Sequence, residues 1–329
     1  MKKLKLSLLN FYGTFKKYPK EKERNRNFAI KFYNWWWFND NAQNWFYRFI
    51  THRNLLENKN TVINFYSVFG NRFVLNKDKN CVKIFFTGEN VHNTAGHFYL
   101  YSSYKDNALK NKNIDLSLGF DFLTDDRYLR FPLWLLSIFP PEVSENEIVN
   151  ICEKLRFPTL EKRTKFAANV SQGDPSGIRS EMCKNLNQIA EVKNGGIFLH
   201  NDDDLWNSFK NDKNAYLKNF NFNICSENSD CNGYVTEKIF EAIKAGCVPI
   251  YWGSGNNPEP EILNHDAILF WKKGENNENL LNKIKELYAS PDLMYDFLKQ
   301  PRLKPDAATY VIKTFQELEN RIKTLIDND

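Results

Sequence analysis

The stretch from Phe220 to Trp252 constrains the fold of this 329-residue chain more than any other. Phe220 to Cys225, Phe-Asn-Phe-Asn-Ile-Cys, reads as a strand. Gly233 to Gly246 holds a turn and an amphipathic helix, and Cys247 to Trp252 is a second strand closed by Gly253. Two buried strands joined through a helix are parallel neighbours, because the helix carries the chain back to the end from which the next strand starts.

The same alternation runs through the rest of the chain. Ala29 to Trp37, Thr61 to Phe69 and Val82 to Phe86 read as strands, and Trp45, Phe46, Phe49 and Ile50 recur at helical spacing. Leu129 to Phe139 is an apolar and aromatic run ended by Pro140-Pro141, and Glu145 to Leu155 reads as a helix. In the second half, Phe166 to Val170 is a strand. A turn with Gly173, Asp174, Pro175 and Gly177 leads into a helix from about Ile178 to Ile189. The length suits two domains of about 150 residues each. The expected division is 1–155, 156–306 and a tail helix over 307–329. That tail carries Tyr310, Phe315, Leu318, Ile322 and Leu325 on one face, a pattern that suits packing and also a membrane surface.

Composition excludes more than it assigns. The net charge of +5 fits an anionic ligand or surface, but Lys and Arg are dispersed among acids and no nucleic-acid-binding motif is present, so no nucleic-acid partner is expected. Hydrophobic residues make up 42 % and aromatics 15 %, enough for sizeable cores with flat faces left over for sugar rings. None of the six cysteines forms a Cys-x-x-Cys pair, so reduced thiols are expected. No apolar run reaches the roughly 20 residues of a membrane span. The first ten residues make a poor signal peptide, broken by Asn10 and Gly13. A cytoplasmic protein is the expectation, with a peripheral place on the inner membrane as a further one.

Chemistry concentrates in Asn228 to Gly253, NSDCNGYVTEKIFEAIKAGCVPIYWG. Thr236 can cap a helix whose apolar face is Ile239, Ala242 and Ile243, and Gly246 suits its exit. Glu237 fits the first turn, but Lys238 opposes the helix dipole there. A bound diphosphate would resolve that conflict; a solvated surface lysine would tolerate it.

CSENSDCNGYVTEKIFEAIKAGCVPIYWG resembles the signature of the α-1,3/1,4-fucosyltransferases of glycosyltransferase family 10. Thr87-Gly88-Glu89-Asn90, KFAANVSQGDPSGIRSEMCKNL from Lys165, and Gly195-Gly196 extend the resemblance over roughly residues 80 to 272. It is nearest to bacterial members that make Lewis-type antigens. The resemblance implies a GT-B architecture: α/β, two Rossmann-like doubly wound domains facing a cleft. It implies GDP-fucose as donor and inverting transfer to the 3-hydroxyl of GlcNAc in N-acetyllactosamine-type acceptors, for Lewis-type glycans on surface polysaccharide. It also implies roles: Glu89 as general base, Arg179 and Lys238 on the diphosphate, Glu237 on the ribose, and Asn228, Tyr234 and Val235 in the donor loop. Two readings stand beside it: a GT-B transferase with another acceptor or nucleotide sugar, and a non-catalytic sugar-binding module.

His92, His97 and Trp35, the last in the run Trp35-Trp36-Trp37, are candidates for acceptor contacts. Asp202-Asp203-Asp204 contains an Asp-x-Asp pattern that suits hard cations in another transferase fold. With Arg179 and Lys238 available as cations, no required metal or other cofactor is expected.

Overall fold

The computed structural model describes residues 2–36, 40–158 and 161–329; Trp37 and the side chain of His97 lie outside the described residues. The chain forms two compact units, Met1–Ser144 with Val311–Asp329, and Glu145–Tyr310.

The first unit contains α1 (Lys2–Arg24), β1 (Ile30–Tyr33), α2 (Trp45–His52), β2 (Ile63–Tyr66), β3 (Val82–Phe86), β4 (Leu116–Gly119), β5 (Tyr128–Arg130) and α3 (Leu133–Ile138). Its five strands run in parallel in the order β1-β2-β3-β4-β5, in register through Ile30, Ile63 and Val82. Every residue of β2 and β3 is buried, as expected of strands covered on both faces. Much of the core is aromatic. Phe65 stacks on Phe32 at 5.3 Å and on Phe46 at 4.9 Å, and Trp45 stacks on Phe49 at 5.1 Å. The high Phe count is thus spent largely on packing.

The second unit contains α4 (Glu145–Arg156), β6 (Lys165–Asn169), α5 (Ile178–Leu186), β7 (Val192–Asn194), α6 (Asp204–Asn207), α7 (Lys213–Leu217), β8 (Phe220–Ser226), α8 (Glu237–Ala245), β9 (Val248–Trp252), β10 (Leu269–Phe270), α9 (Glu278–Ala289) and α10 (Pro291–Leu298). Its parallel strands are ordered β10-β9-β8-β6-β7. From β6 the chain steps to β7 on one side, returns to β8 on the other, and continues outward to β9 and β10. The order reverses between β6 and β8, and ligands of such sheets bind beyond the strand ends at that point.

Several expectations change on contact with the structure. The expected strand from Ala29 ends at Tyr33, where Asn34 takes a left-handed backbone with φ of 52°. The Leu129–Phe139 run divides into β5 and α3, because Pro132 cannot donate to a strand ladder and instead precedes the first turn of α3. The boundary expected at 155/156 lies at 144/145, since α4 belongs with the second unit. Residues 2–24, to which the sequence reading assigned no element, form the 23-residue α1.

The tail forms α11 (Ala307–Asp327). From Val311 onward it belongs to the first unit, where Val311, Phe315, Leu318, Ile322 and Ile326 are all buried. Phe315 meets the rings of Trp45, Phe131 and Phe139 at 5.6–6.0 Å, and Arg53 pairs with Glu319 at 3.0 Å. The apolar face of α11 is therefore core, and the membrane-surface alternative for this helix loses its apolar face. Phe315→Ala should cost the first unit about 3–5 kcal/mol, the usual range for a buried phenylalanine. Urea unfolding followed by tryptophan fluorescence tests this; an unchanged midpoint would mean that α11 is a dispensable appendage.

Candidate active site

The second unit supplies the densest cluster of charge, at the ends of β6 and β8. Arg179 is the second residue of α5, which starts after the loop leaving β6. It is only 4 % exposed. Its Nε donates to Ser226 Oγ at 3.0 Å. One terminal nitrogen donates to Ser226 O and Asn228 Oδ1, both at 3.0 Å, and the other to Gly173 O. The guanidinium thus spans the reversal point, from the α5 side to the last residue of β8. All its acceptors are neutral oxygens, and it makes no carboxylate ion pair among the described residues. Burial lowers its pKa, offset in part by Asp174 and Glu227. A buried cation bonded only to neutral groups keeps its attraction for an incoming anion.

Lys238 occupies the second position of α8, at the far end of the same loop. Its Nζ donates to Thr236 Oγ1 at 2.7 Å and lies 3.2 Å from Glu237 Oε1 and 3.4 Å from Glu227 Oε2. Burial alone would lower this ammonium, but Glu227 and Glu237 outweigh it and hold the pKa well above the ordinary lysine value. The Arg179 guanidinium works against that rise by like-charge repulsion. The clash between Lys238 and the helix dipole is therefore settled within the protein, by two carboxylates, before any ligand arrives. The side chains of 179 and 238 flank one segment, residues 226–228.

Glu227 is the residue that the sequence reading passed over. It is completely buried, its Oε1 accepts from the Thr236 backbone N–H at 2.8 Å, and its Oε2 accepts from Thr236 Oγ1 at 2.7 Å. One carboxylate thereby holds the start of α8 and orients Lys238. Burial raises its pKa, and Lys238 and the Thr236 donors only partly counter this. Gly253 makes room for it: a β-carbon there would come within 2.7 Å of Glu227 Cγ, on a backbone with φ of 137°. Glu227 lies inside the signature quoted above, but nothing local marks it as buried, because its partners lie nine and eleven residues away.

The remaining donor-loop candidates divide. Asn228 is half-buried and bonded to Arg179. Tyr234 and Val235 are buried at 2 % and 1 %. The Tyr234 hydroxyl is near enough to Arg179 to affect it.

In the first unit, Glu89 follows β3 in a tight turn. Its backbone N–H donates to Thr87 Oγ1 at 3.1 Å, and Thr87 Oγ1 donates to its carbonyl at 2.9 Å. The carboxylate is half-exposed beside Tyr101, whose phenol is pushed up to about 12 by burial first and Glu89 second. His92 bonds Asp121 at 2.9 Å, and that bond raises its pKa against the effect of burial. His92 is thus a ring anchored to Asp121 close behind Glu89. Trp35 corrects an expectation: it is 5 % exposed and packs on Phe32, Phe86 and Trp36 at 5.1–5.8 Å. Only its edge reaches a groove of about 240 Å³ that Trp36, Asn44, Trp45 and Leu133 also line.

The three consecutive aspartates are held by protein partners, and two of them share Lys165, Asp202 at 3.5 Å and Asp204 at 2.7 Å. Asp202 also accepts from Tyr216 Oη at 3.1 Å, and Asp203 bonds His200 at 2.8 Å. Among the described residues no group of three or more His, Cys, Asp or Glu is placed to hold a metal.

Glu237 supplies a pH signature. Burial alone would raise its carboxyl, but Lys238 and then Lys213 draw it down to about 2 from the ordinary 4.5. A depressed folded-state pKa stabilises the fold above the unfolded value, and that stabilisation is lost as the proton binds. Stability should therefore decline as pH falls from about 4.5 towards about 2. Glu237→Gln should flatten that part of a thermal-melt series; an unchanged slope would show that Lys238 does not control this carboxylate.

Both halves of the chain match known proteins. A model described as "Alpha-(1,3)-fucosyltransferase FucT N-terminal domain" matches residues 30–137, and "Glycosyltransferase family 10 (fucosyltransferase) C-term" matches residues 159–318. The chain is 28 % identical over 285 residues to an alpha-(1,3)-fucosyltransferase FucT of Helicobacter pylori, covering 76 % of this chain and 54 % of that protein. It is 29 % identical over 182 residues to the human GDP-fucose protein O-fucosyltransferase 3, covering 51 % of this chain and 38 % of that protein. The chain thus spans about half the length of the Helicobacter relative, and less of the human one. A solved alpha1,3-fucosyltransferase superposes with a TM-score of 0.62 at 23 % identity, over 91 % of this chain and 90 % of that one, which supports the GT-B class for the two parallel sheets. Carrying both domains in order, the chain belongs to glycosyltransferase family 10, the fucosyltransferases.

Proposed function

We propose that this chain is an inverting α-1,3-fucosyltransferase that moves L-fucose from GDP-fucose to the 3-hydroxyl of GlcNAc in N-acetyllactosamine-type acceptors. The observation that carries the donor half is the pairing of buried Arg179 with Lys238 around residues 226–228 at the reversal point of the second sheet. The names of the family and of both relatives support fucose as the sugar, and the name of the human relative supports GDP-fucose.

The chemistry asks for these groups. As the bond from fucose C1 to the β-phosphate oxygen breaks, the ring gains oxocarbenium character and negative charge grows on the phosphate. A guanidinium and an ammonium held in place stabilise that charge more than they stabilise the bound donor, which lowers the barrier. Arg179 offers a planar fork for phosphate oxygens and Lys238 a point charge. Glu237, kept ionised by Lys238, is a hydrogen-bond acceptor suited to ribose hydroxyls. Glu89 takes the proton of the acceptor hydroxyl as its oxygen attacks C1 from the face opposite the phosphate, which inverts the centre.

The acceptor rests on the resemblance to Lewis-antigen enzymes, and with it a cytoplasmic enzyme that decorates surface polysaccharide. The match to a protein O-fucosyltransferase favours a second reading, in which a protein hydroxyl receives the fucose. An acceptor array that includes N-acetyllactosamine, lacto-N-biose and folded protein domains separates the two.

With GDP-fucose and N-acetyllactosamine, the wild-type chain should release GDP and form one α-1,3-linked product by NMR. Glu89→Gln should cut kcat by about 100- to 10,000-fold while GDP still raises the melting temperature. Turnover by that variant at the wild-type rate would remove Glu89 from the base role. Arg179→Ala should lose about 2–4 kcal/mol of transition-state stabilisation. Because the three aspartates already have partners and two cations stand at the phosphate site, transfer should persist in excess EDTA. Abolition by EDTA with recovery on Mn²⁺ would contradict this.

A further inference from the structure

Helix α1 is docked by one face and bare on another. Thr14 and Glu21 are buried: Thr14 Oγ1 accepts from the Asn71 backbone at 2.9 Å, and Glu21 Oε1 accepts from the Asn34 backbone at 3.1 Å. Tyr18 donates to Asp78 at 3.2 Å. These contacts tie down the second half of the helix and define its inward face. Leu4, Leu8 and Phe15 follow at helical spacing on a different face, with Leu9 and Tyr12 beside them, and all five are 51–67 % exposed. Among the described residues no other helix exposes so continuous a run of large apolar side chains.

The charge around that face is of one sign. Residues 1–20 contain six Lys and no Asp or Glu. Lys5 and Lys16 are exposed and share the row of Leu9 and Tyr12, and Lys20 extends that row by one turn. An apolar stripe bordered by exposed lysines matches the interfacial helices that lie in the plane of an anionic bilayer, with leucine and aromatic rings among the acyl chains and ammonium groups at the headgroups. It suits a second copy of the chain poorly. Two such helices, parallel or antiparallel, would place lysines against lysines with no acid before Glu21 to compensate.

We propose that α1 is a membrane-surface anchor whose Leu4–Leu8–Phe15 face inserts into the headgroup region of anionic phospholipid. This role is independent of the transferase reading. No described helix is long and apolar enough to cross a membrane, so the attachment is interfacial. The roles then divide between two helices: α11, whose sequence suited packing as well as a membrane surface, is core, and α1 carries the exposed stripe.

Co-sedimentation with vesicles tests the proposal, using the full chain with phosphatidylcholine alone and with phosphatidylcholine carrying phosphatidylglycerol. The chain should partition onto the anionic vesicles, less so in high salt and little onto the neutral ones. A Leu8→Glu, Phe15→Glu double variant should bind at least about tenfold more weakly. Since both side chains are exposed, its circular dichroism and melting temperature should match wild type. Lys5→Gln with Lys16→Gln should weaken binding to anionic vesicles in low salt. Three results would overturn the proposal: no preference for anionic vesicles, undiminished binding by the double variant, or a self-associating wild type whose oligomer, rather than its vesicle binding, the double variant abolishes.

Discussion

A carboxylate with no exposure to water, Glu227, ties together the features on which the second unit's site depends. It receives the backbone and hydroxyl of Thr236 and lies beside the ammonium of Lys238. Taking a carboxylate out of water is costly unless each oxygen finds a donor. Here both oxygens do, and the donors belong to the start of α8. The result is a helix whose first turn is held from outside its own sequence and whose lysine is aimed before any substrate binds. Rigidity of this kind is what lets fixed charge lower a barrier without reorganising during the reaction.

Arg179 completes the arrangement from the start of α5. Its bonds to both the side chain and the carbonyl of Ser226 link the loop after β6 to the end of β8, where the strand order reverses. A buried guanidinium satisfied only by neutral oxygens is poor economy for a structural residue and good preparation for an anion. Local disadvantage of this sort concentrates where a protein binds and reacts. In the first unit stability has another source. Stacked and edge-on rings from β1, β2, α2 and α11 fill the core, and the distant C-terminal segment contributes Phe315 to it.

Much of this was legible beforehand, for a physical reason. Parallel strands buried on both faces are rich in apolar and aromatic residues, so β3, β8 and β9 stand out, despite Lys83, Asn221 and Asn223, and their edges are found to within a residue. α8 was legible from its apolar face and Gly246; Thr236 stands at the expected cap position, but its hydroxyl bonds Glu227 and does not cap the helix. The limits of β1 and the split of Leu129–Phe139 were not, because an apolar aromatic run carries no period that separates strand from helix. Trp35 was a candidate for both the groove and the core because tryptophan stacks equally well on sugars and on phenylalanine. α1 escaped notice because its large apolar residues do not form the buried stripe from which helices are usually inferred.

By itself the sequence determined the class of sheet, the family, and which side chains could carry charge to a phosphate, since those follow from residue type and short-range spacing. Tertiary structure alone decided that Glu227 is buried, that Arg179 reaches Ser226 forty-seven residues away, and that α11 is inside while α1 is outside. Burial and long-range pairing depend on what the rest of the chain places opposite a residue, and no local pattern records that.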